Sequence, residues 1–181
     1  MRPRAALLAL ALPLAACAGE SGFRVGSGGL HDGDTLPLAQ VYQGSGCKGG
    51  NRSPALAWSG MPQGARSYAV TMFDPDAASG HGWWHWLAYD LPAGTTALPE
   101  GAGSGGALPA GAKQARNDFG GVGYGGACPP AGDKPHRYVI TVYALPAARL
   151  TLPASASASQ IDAALRREAL ANARLTLRYG R

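Results

Sequence analysis

Ser67-Tyr-Ala-Val-Thr-Met-Phe-Asp-Pro-Asp76, with Trp84-His-Trp-Leu-Ala-Tyr-Asp90 close behind it, is the stretch from which the architecture can be read. Over 67–73 the alternating positions Tyr68, Val70 and Met72 face one way and Ala69, Thr71 and Phe73 the other. Both sets are largely apolar, which marks a central strand covered on both sides. Residues 84–90 form a second strand, in which the same alternation puts His85, Leu87 and Tyr89 on one face. No helical pattern lies between the two, so they pair antiparallel. A third run, Arg137-Tyr-Val-Ile-Thr-Val-Tyr-Ala-Leu145, is again apolar on both faces. Three such strands predict a mainly β, antiparallel core.

Working outward, Phe23–Val25 and Leu36–Val41 are short extended candidates, and 44–51 is a loop by composition. Residues 99–126 hold Gly, Ala and Pro with little periodicity; so long an irregular stretch is functional or packed over a site. One helix is expected near the end. Ser159 is its N-cap, Asp162 follows three residues on, and Ile161, Ala164, Leu165, Glu168 and Ala169 keep helical spacing. Leu175–Tyr179 returns to an extended form. The 181 residues carry no internal repeat and suit one domain, and 46% hydrophobic residues provide a sizeable core. Gly 27 and Pro 14 fit many turns and short strands. Only 15% of residues are charged, and no basic run is interleaved with aromatics, which argues against a disordered tail and against nucleic acid as partner.

The N-terminus reads as a targeting signal. Arg2 and Arg4 precede an apolar stretch, Ala5–Leu14, too short to span a bilayer. Leu14-Ala15-Ala16-Cys17 matches the bacterial lipoprotein pattern, in which the cysteine becomes the lipidated first residue; an ordinary signal peptide cut near Ala16 is the alternative. The expected division is a signal peptide over 1–16, a lipidated tether over 17–22 and a domain over 23–181. Losing Arg2 and Arg4 lowers the formal net charge from +5 to +3, which fits an anionic ligand or surface. Ala18 and Gly19 include no aspartate, favouring the periplasmic face of the outer membrane. In that oxidising compartment Cys47 and Cys128, both in Gly-rich loops, are either bridged or two buried thiols.

Three clusters carry chemistry. Asp74-Pro75-Asp76 follows the first central strand, and Pro75 ends it, leaving both carboxylates at a sheet edge or pocket mouth. His81-Gly-Trp-Trp-His85-Trp86 opens the second strand. A Gly-rich loop from Gly120, then Cys128-Pro-Pro130, leads into His136-Arg-Tyr138 at the third. Asp74 and His85 fall near one end of the sheet, with His136 beside them. An aspartate next to a histidine favours imidazolium, and two imidazoles with backbone amides near Gly126 make an anion site, to which Tyr138 adds a hydroxyl donor. Asp74 would orient one imidazole and Asp76 would fix the loop. A zinc site from His81, His85, Asp74 and His136 lacks suitable spacing. Gly121–Gly126 matches G-x-G-x-x-G but is followed by Cys-Pro-Pro rather than a helix, and no G-x-S-x-G is present. Neither metal nor cofactor is expected.

Five stretches in register resemble the phosphatidylethanolamine-binding protein family in its bacterial Raf-kinase-inhibitor-like form. They are Asn51–Trp58, Ser67–Ala77 with its Asp-Pro-Asp-Ala core, Gly82–Trp86, Gly123–Pro130 and His136–Tyr138, and the likeness runs from about Phe23 to Arg181. It implies a Greek-key-type β-sandwich with a C-terminal helix. It also implies a pocket for a phosphate-like or phospholipid-headgroup ligand, built from Asp74, Asp76, His85, Gly126, Pro130, His136 and Tyr138. Ala78 departs from the family's run, which continues Asp-Ala-Pro. The resemblance further raises a regulatory or inhibitory role toward a protein partner. The expected function is therefore ligand binding on a lipid-anchored module of the cell envelope rather than catalysis. The alternative is a hydrolase using the aspartates and His85 as acid and base.

Overall fold

The computed structural model describes residues 22–153 and 155–181. The expected signal peptide over 1–16 and Cys17 lie outside the described residues. The strands are β1 (Arg24–Gly26), β2 (Gln43–Gly44), β3 (Cys47–Lys48), β4 (Leu56–Ser59), β5 (Ser67–Asp74), β6 (Trp83–Pro92), β7 (Ala97–Leu98), β8 (Lys113–Gln114) and β9 (His136–Leu145). One helix, α1 (Ala158–Glu168), precedes the last strand, β10 (Ala171–Tyr179). Five strands form one antiparallel sheet in the order β10-β9-β5-β6-β8, and β1-β4-β7 form a second. β9 returns across a long connection to lie beside β5 rather than β8, as Greek-key wiring requires. The protein is mainly β and sandwich-like.

β5 is central, as its two apolar faces require. On one side Tyr68, Val70 and Met72 pack with Leu56 and Trp58 of the small sheet and with Tyr138, Ile140 and Leu177 of the neighbouring strands. On the other, Ala69, Leu87, Tyr143 and Leu145 pack under Ile161, Ala164 and Leu165 of α1. Burying Ile161 and Leu165, 2% and 0% exposed, contributes about 1.5–3 kcal/mol each.

The helix begins at a different serine from the one expected. Ser157 is the N-cap: its Oγ accepts the Gln160 amide at 3.3 Å while Gln160 Oε1 accepts the Ser157 amide at 2.9 Å. This reciprocal closure needs Gln three residues after the cap, which Ser157 has and Ser159 lacks. Asp162 turns inward instead, accepting the Tyr143 hydroxyl at 2.9 Å and pairing with Arg166. The extended reading of 36–41 also gives way, since Leu38–Gln40 form a 3₁₀ turn.

Cys47 and Cys128 are joined by a disulfide, with Cα atoms 5.9 Å apart and 81 residues of separation. It ties the β2–β3 hairpin to the Cys-Pro-Pro segment. By loop entropy such a bridge contributes about 4 kcal/mol. Unreduced, denatured protein should therefore show no reactive thiol at either position, and Cys47→Ser/Cys128→Ser should lower the denaturant midpoint. Two free thiols, or an unchanged midpoint, would remove the bridge from the account.

Candidate functional site

The C-terminal end of β5 and the starts of β6 and β9 meet at one edge of the large sheet. Asp74 pairs with Trp83 across β5–β6, and Phe73 with Val139 across β5–β9. Over this edge opens a cavity of ≈ 740 Å³, lined by Asp74, Asp76, His85, Pro130, His136 and Tyr138 among others. Of the seven ligand residues expected from the sequence, all but Gly126 line it.

His136 is clamped by carboxylates. Asp74, 2% exposed, accepts the amides of Asp76 and Ala77 on Oδ1 and the His136 Nδ1–H on Oδ2 at 2.8 Å. The far nitrogen, Nε2, stands 3.6 Å from Asp133 Oδ2. Nδ1 is thus spent on Asp74, and Nε2 is directed away from it.

His85 arrives by a break in register. Along β5–β6, Met72 faces Trp86 while Phe73 faces Trp84, so β6 carries an extra residue at His85. This bulge overturns the alternation expected for the strand. His85 leaves the face of Leu87 and joins that of Trp86, edge-on to Tyr138 at 5.2 Å between ring centroids. Its Nδ1 donates to the Gly125 carbonyl at 2.7 Å, and the Gly125 amide donates back to the His85 carbonyl at 2.8 Å. Burial holds its pKa below the ordinary 6.5, outweighing the Gly125 carbonyl and the Asp74 charge that pull the other way. Near neutral pH the ring is therefore uncharged, and Nε2 offers a lone pair to the cavity.

The remaining residues divide between wall and frame. Asp76 receives the Arg137 amide at 2.9 Å and its guanidinium at 2.6–3.3 Å. Those bonds lower its pKa to about 2 and fasten the 74–77 turn to β9. Tyr138 is fully buried, and its hydroxyl has no hydrogen-bond partner among the described residues. Burial foremost, then the Asp74 charge, raises its pKa, so it stays a donor. Backbone amides near Gly126 do not serve an anion as expected: the Gly126 amide donates to Asn51 Oδ1 at 2.8 Å, and that of Gly125 is spent on His85. Gly126 acts by size, since a Cβ there would stand 2.4 Å from the Gln40 carbonyl oxygen. Ala78 has φ +48°, which proline cannot adopt, so this loop takes a path closed to the family's usual residue. His81 lies exposed in the same turn, bonded to the Ala78 carbonyl, and among the described residues no three metal-ligand side chains converge.

The sequence reading missed Phe119, which meets Trp83 edge-on at 5.4 Å on the cavity wall, and also Asp118 and Asp133. Asp118 was legible only as a polar residue in the Gly-rich stretch; its Oδ2 accepts the Trp84 amide at 2.7 Å. The described lining thus holds four carboxylates, two histidines and no Lys or Arg.

An antiparallel sandwich whose sheet edge presents an Asp–His pair, a second buried His and a Cys-Pro-Pro wall defines a narrow class of proteins. The family model of phosphatidylethanolamine-binding protein matches residues 27–180. YbcL of Escherichia coli is 46% identical over 159 residues, covering 87% of each chain. Its crystal structure, described as a new member of the mammalian PEBP family, superposes with a TM-score of 0.83 over 88% of this chain and 98% of that one. YbhB of the same organism is 46% identical, covering 84% of this chain and 97% of its own. Lipoprotein LppC of Mycobacterium tuberculosis is 40% identical over 71% of this chain and 60% of its own. The chain belongs to the phosphatidylethanolamine-binding protein family.

Because His85 is neutral in the fold and protonates more readily unfolded, the unfolded chain takes up the extra proton as pH falls through 6.5. Stability is full above that value and declines below it. Asp76, lowered to about 2 from 3.8, adds a second decline between those values. Denaturant midpoints measured from pH 8 to 2 should show both steps, and His85→Gln should lack the first. A flat profile from pH 7 to 5 would contradict the neutral assignment.

Proposed function

We propose that the chain is a lipid-tethered envelope protein whose cavity binds a phosphate-containing group that itself carries a donated proton or an ammonium. The observation that carries this reading is the pairing of unlike histidines: His136 between two carboxylates, and neutral His85 with its lone pair toward the same space. In its doubly protonated form His136 can donate through Nε2, and the unpartnered Tyr138 hydroxyl is suited to donate beside it, to phosphate oxygens. Nε2 of His85 is suited to accept, either from a P–OH group or by taking the proton outright. Asp118, Asp133 and the Trp83–Phe119 wall suit an ammonium such as that of phosphoethanolamine. A bare phosphate dianion would meet four carboxylates with little to offset them. Cys17 and the lipoprotein name of a relative support the tether, and family membership supports ligand binding.

The test is calorimetric titration of phosphate and of phosphoethanolamine from pH 5.5 to 8. Affinity for phosphate should fall as pH rises, with net proton uptake on binding, and phosphoethanolamine should bind more tightly. His136→Ala should lose about 1.5–3 kcal/mol, as a charge-assisted bond does. Asp74→Asn should also weaken binding, because the imidazole loses its orienting partner, although simple charge counting predicts the reverse. Tighter binding by Asp74→Asn, or pH-independent affinity, would sink the mechanism. Release of inorganic phosphate from a phosphomonoester during the titration would assign hydrolysis instead.

A further inference from the structure

The two ends of β5 differ in what they present to solvent. At its C-terminal end lies the acidic cavity. At its N-terminal end the chain enters the domain: Phe23 packs on Tyr68 with ring centroids 6.3 Å apart, and Gly22 passes so close to Gly60 that a Cβ there would stand 2.6 Å from the Gly22 carbonyl oxygen. Ser67 pairs with Pro92 and Leu145 at this same end. The start of β1 and the segments around it expose Arg24, Arg66 and Arg149, whose side chains form no hydrogen bond or ion pair with other described residues. Among them stand two of the few large apolar side chains left exposed, Met61 at 40% and Leu170 at 46%. Leu170 is held there by its amide bond to Ala144, and its side chain lies beside Gly64.

Only residues 18–21 separate Cys17 from Gly22. The five steps from Cys17 to Gly22 reach at most about 18 Å, so an acylated Cys17 keeps this pole against the membrane. The eight residues of β5 separate the poles by roughly 25 Å. We infer that the Arg24–Arg66–Arg149 pole, with Met61 and Leu170, rests on the anionic phospholipid surface that holds the anchor, so that the ligand cavity opens away from that bilayer. Arginines on such a surface are attracted to its headgroups within a Debye length, and the acidic cavity is repelled by it; both forces orient the domain the same way. The two apolar side chains add interfacial contact. The cavity then takes its ligand from the aqueous phase or from an opposing surface, not from the lipids beneath it. This inference rests on the tether proposed above.

The full-length, lipidated chain is placed in vesicles containing phosphatidylglycerol and a headgroup-bound quencher. Gln63→Cys, in the turn of the basic pole, and Lys134→Cys, beside the cavity mouth, each carry a fluorophore. Strong quenching at Gln63→Cys and quenching no greater than that of free dye at Lys134→Cys is expected. Adding Arg24→Glu, Arg66→Glu and Arg149→Glu should narrow the difference, through greater quenching at Lys134→Cys, while the chain stays with the vesicles. Equal quenching at the two positions of the parent chain, or the reverse order, overturns the orientation alone. A chain that does not sediment with vesicles, its Cys17 unmodified by mass spectrometry, overturns the tether and the orientation with it.

Discussion

The register break at His85 is the constraint on which the site depends. One extra residue in β6 takes a histidine that strict alternation would place under α1 and puts it on the cavity side. Once there, the ring is enclosed, and its Nδ1 is held by the Gly125 carbonyl at 2.7 Å, with the Gly126 carbonyl at 3.1 Å. That bond does two things. It settles which nitrogen faces the cavity, and it docks the long Gly-rich segment along the outer side of β6. The segment is held further by Asn117, whose side chain bonds Gly121 and Gly123, and by Asn51, which takes the Gly126 amide. An irregular stretch without helical or strand period is thereby fixed by side-chain amides, each replacing a backbone partner the ladder does not supply.

The two histidines show how the same side chain acquires opposite roles within one cavity. His136 faces carboxylates at both nitrogens, at 2.8 and 3.6 Å, and donates its Nδ1–H to Asp74. His85 faces carbonyls and aromatic rings, and burial withholds its charge. A pair of this kind matches a ligand that both accepts and donates hydrogen bonds. The carboxylate count of the lining fits that reading better than a purely cationic anion trap would.

Much of this was legible in the residues. Two apolar faces on 67–73 required a central strand, and the structure covers one with the small sheet and the other with α1. Pro75 after Asp74 announced the strand end and the exposed turn. What sequence periodicity could not supply was the bulge, because period-two alternation assumes an unbroken ladder and nothing in Trp-Trp-His-Trp marks the slip. The helix cap moved by two residues because Gln160, not Asp162, closes the box. The role of Gly126 was misjudged for a related reason. A glycine near a site reads as an amide donor, whereas here the tight passage of the 40–42 backbone explains it. Asp118 and Asp133 come from loops and carry no period at all.

The central claim is that His85 is a neutral acceptor whose Nε2 takes or shares a proton of its ligand. It is tested most directly by nitrogen NMR of histidine-labelled protein at neutral pH, with and without phosphoethanolamine. The account predicts a free-protein His85 with a protonated Nδ1 and a pyridine-like Nε2, and a shift of Nε2 toward a protonated nitrogen on binding. An imidazolium already present in the free protein, or an Nε2 signal unmoved by saturating ligand, would contradict it.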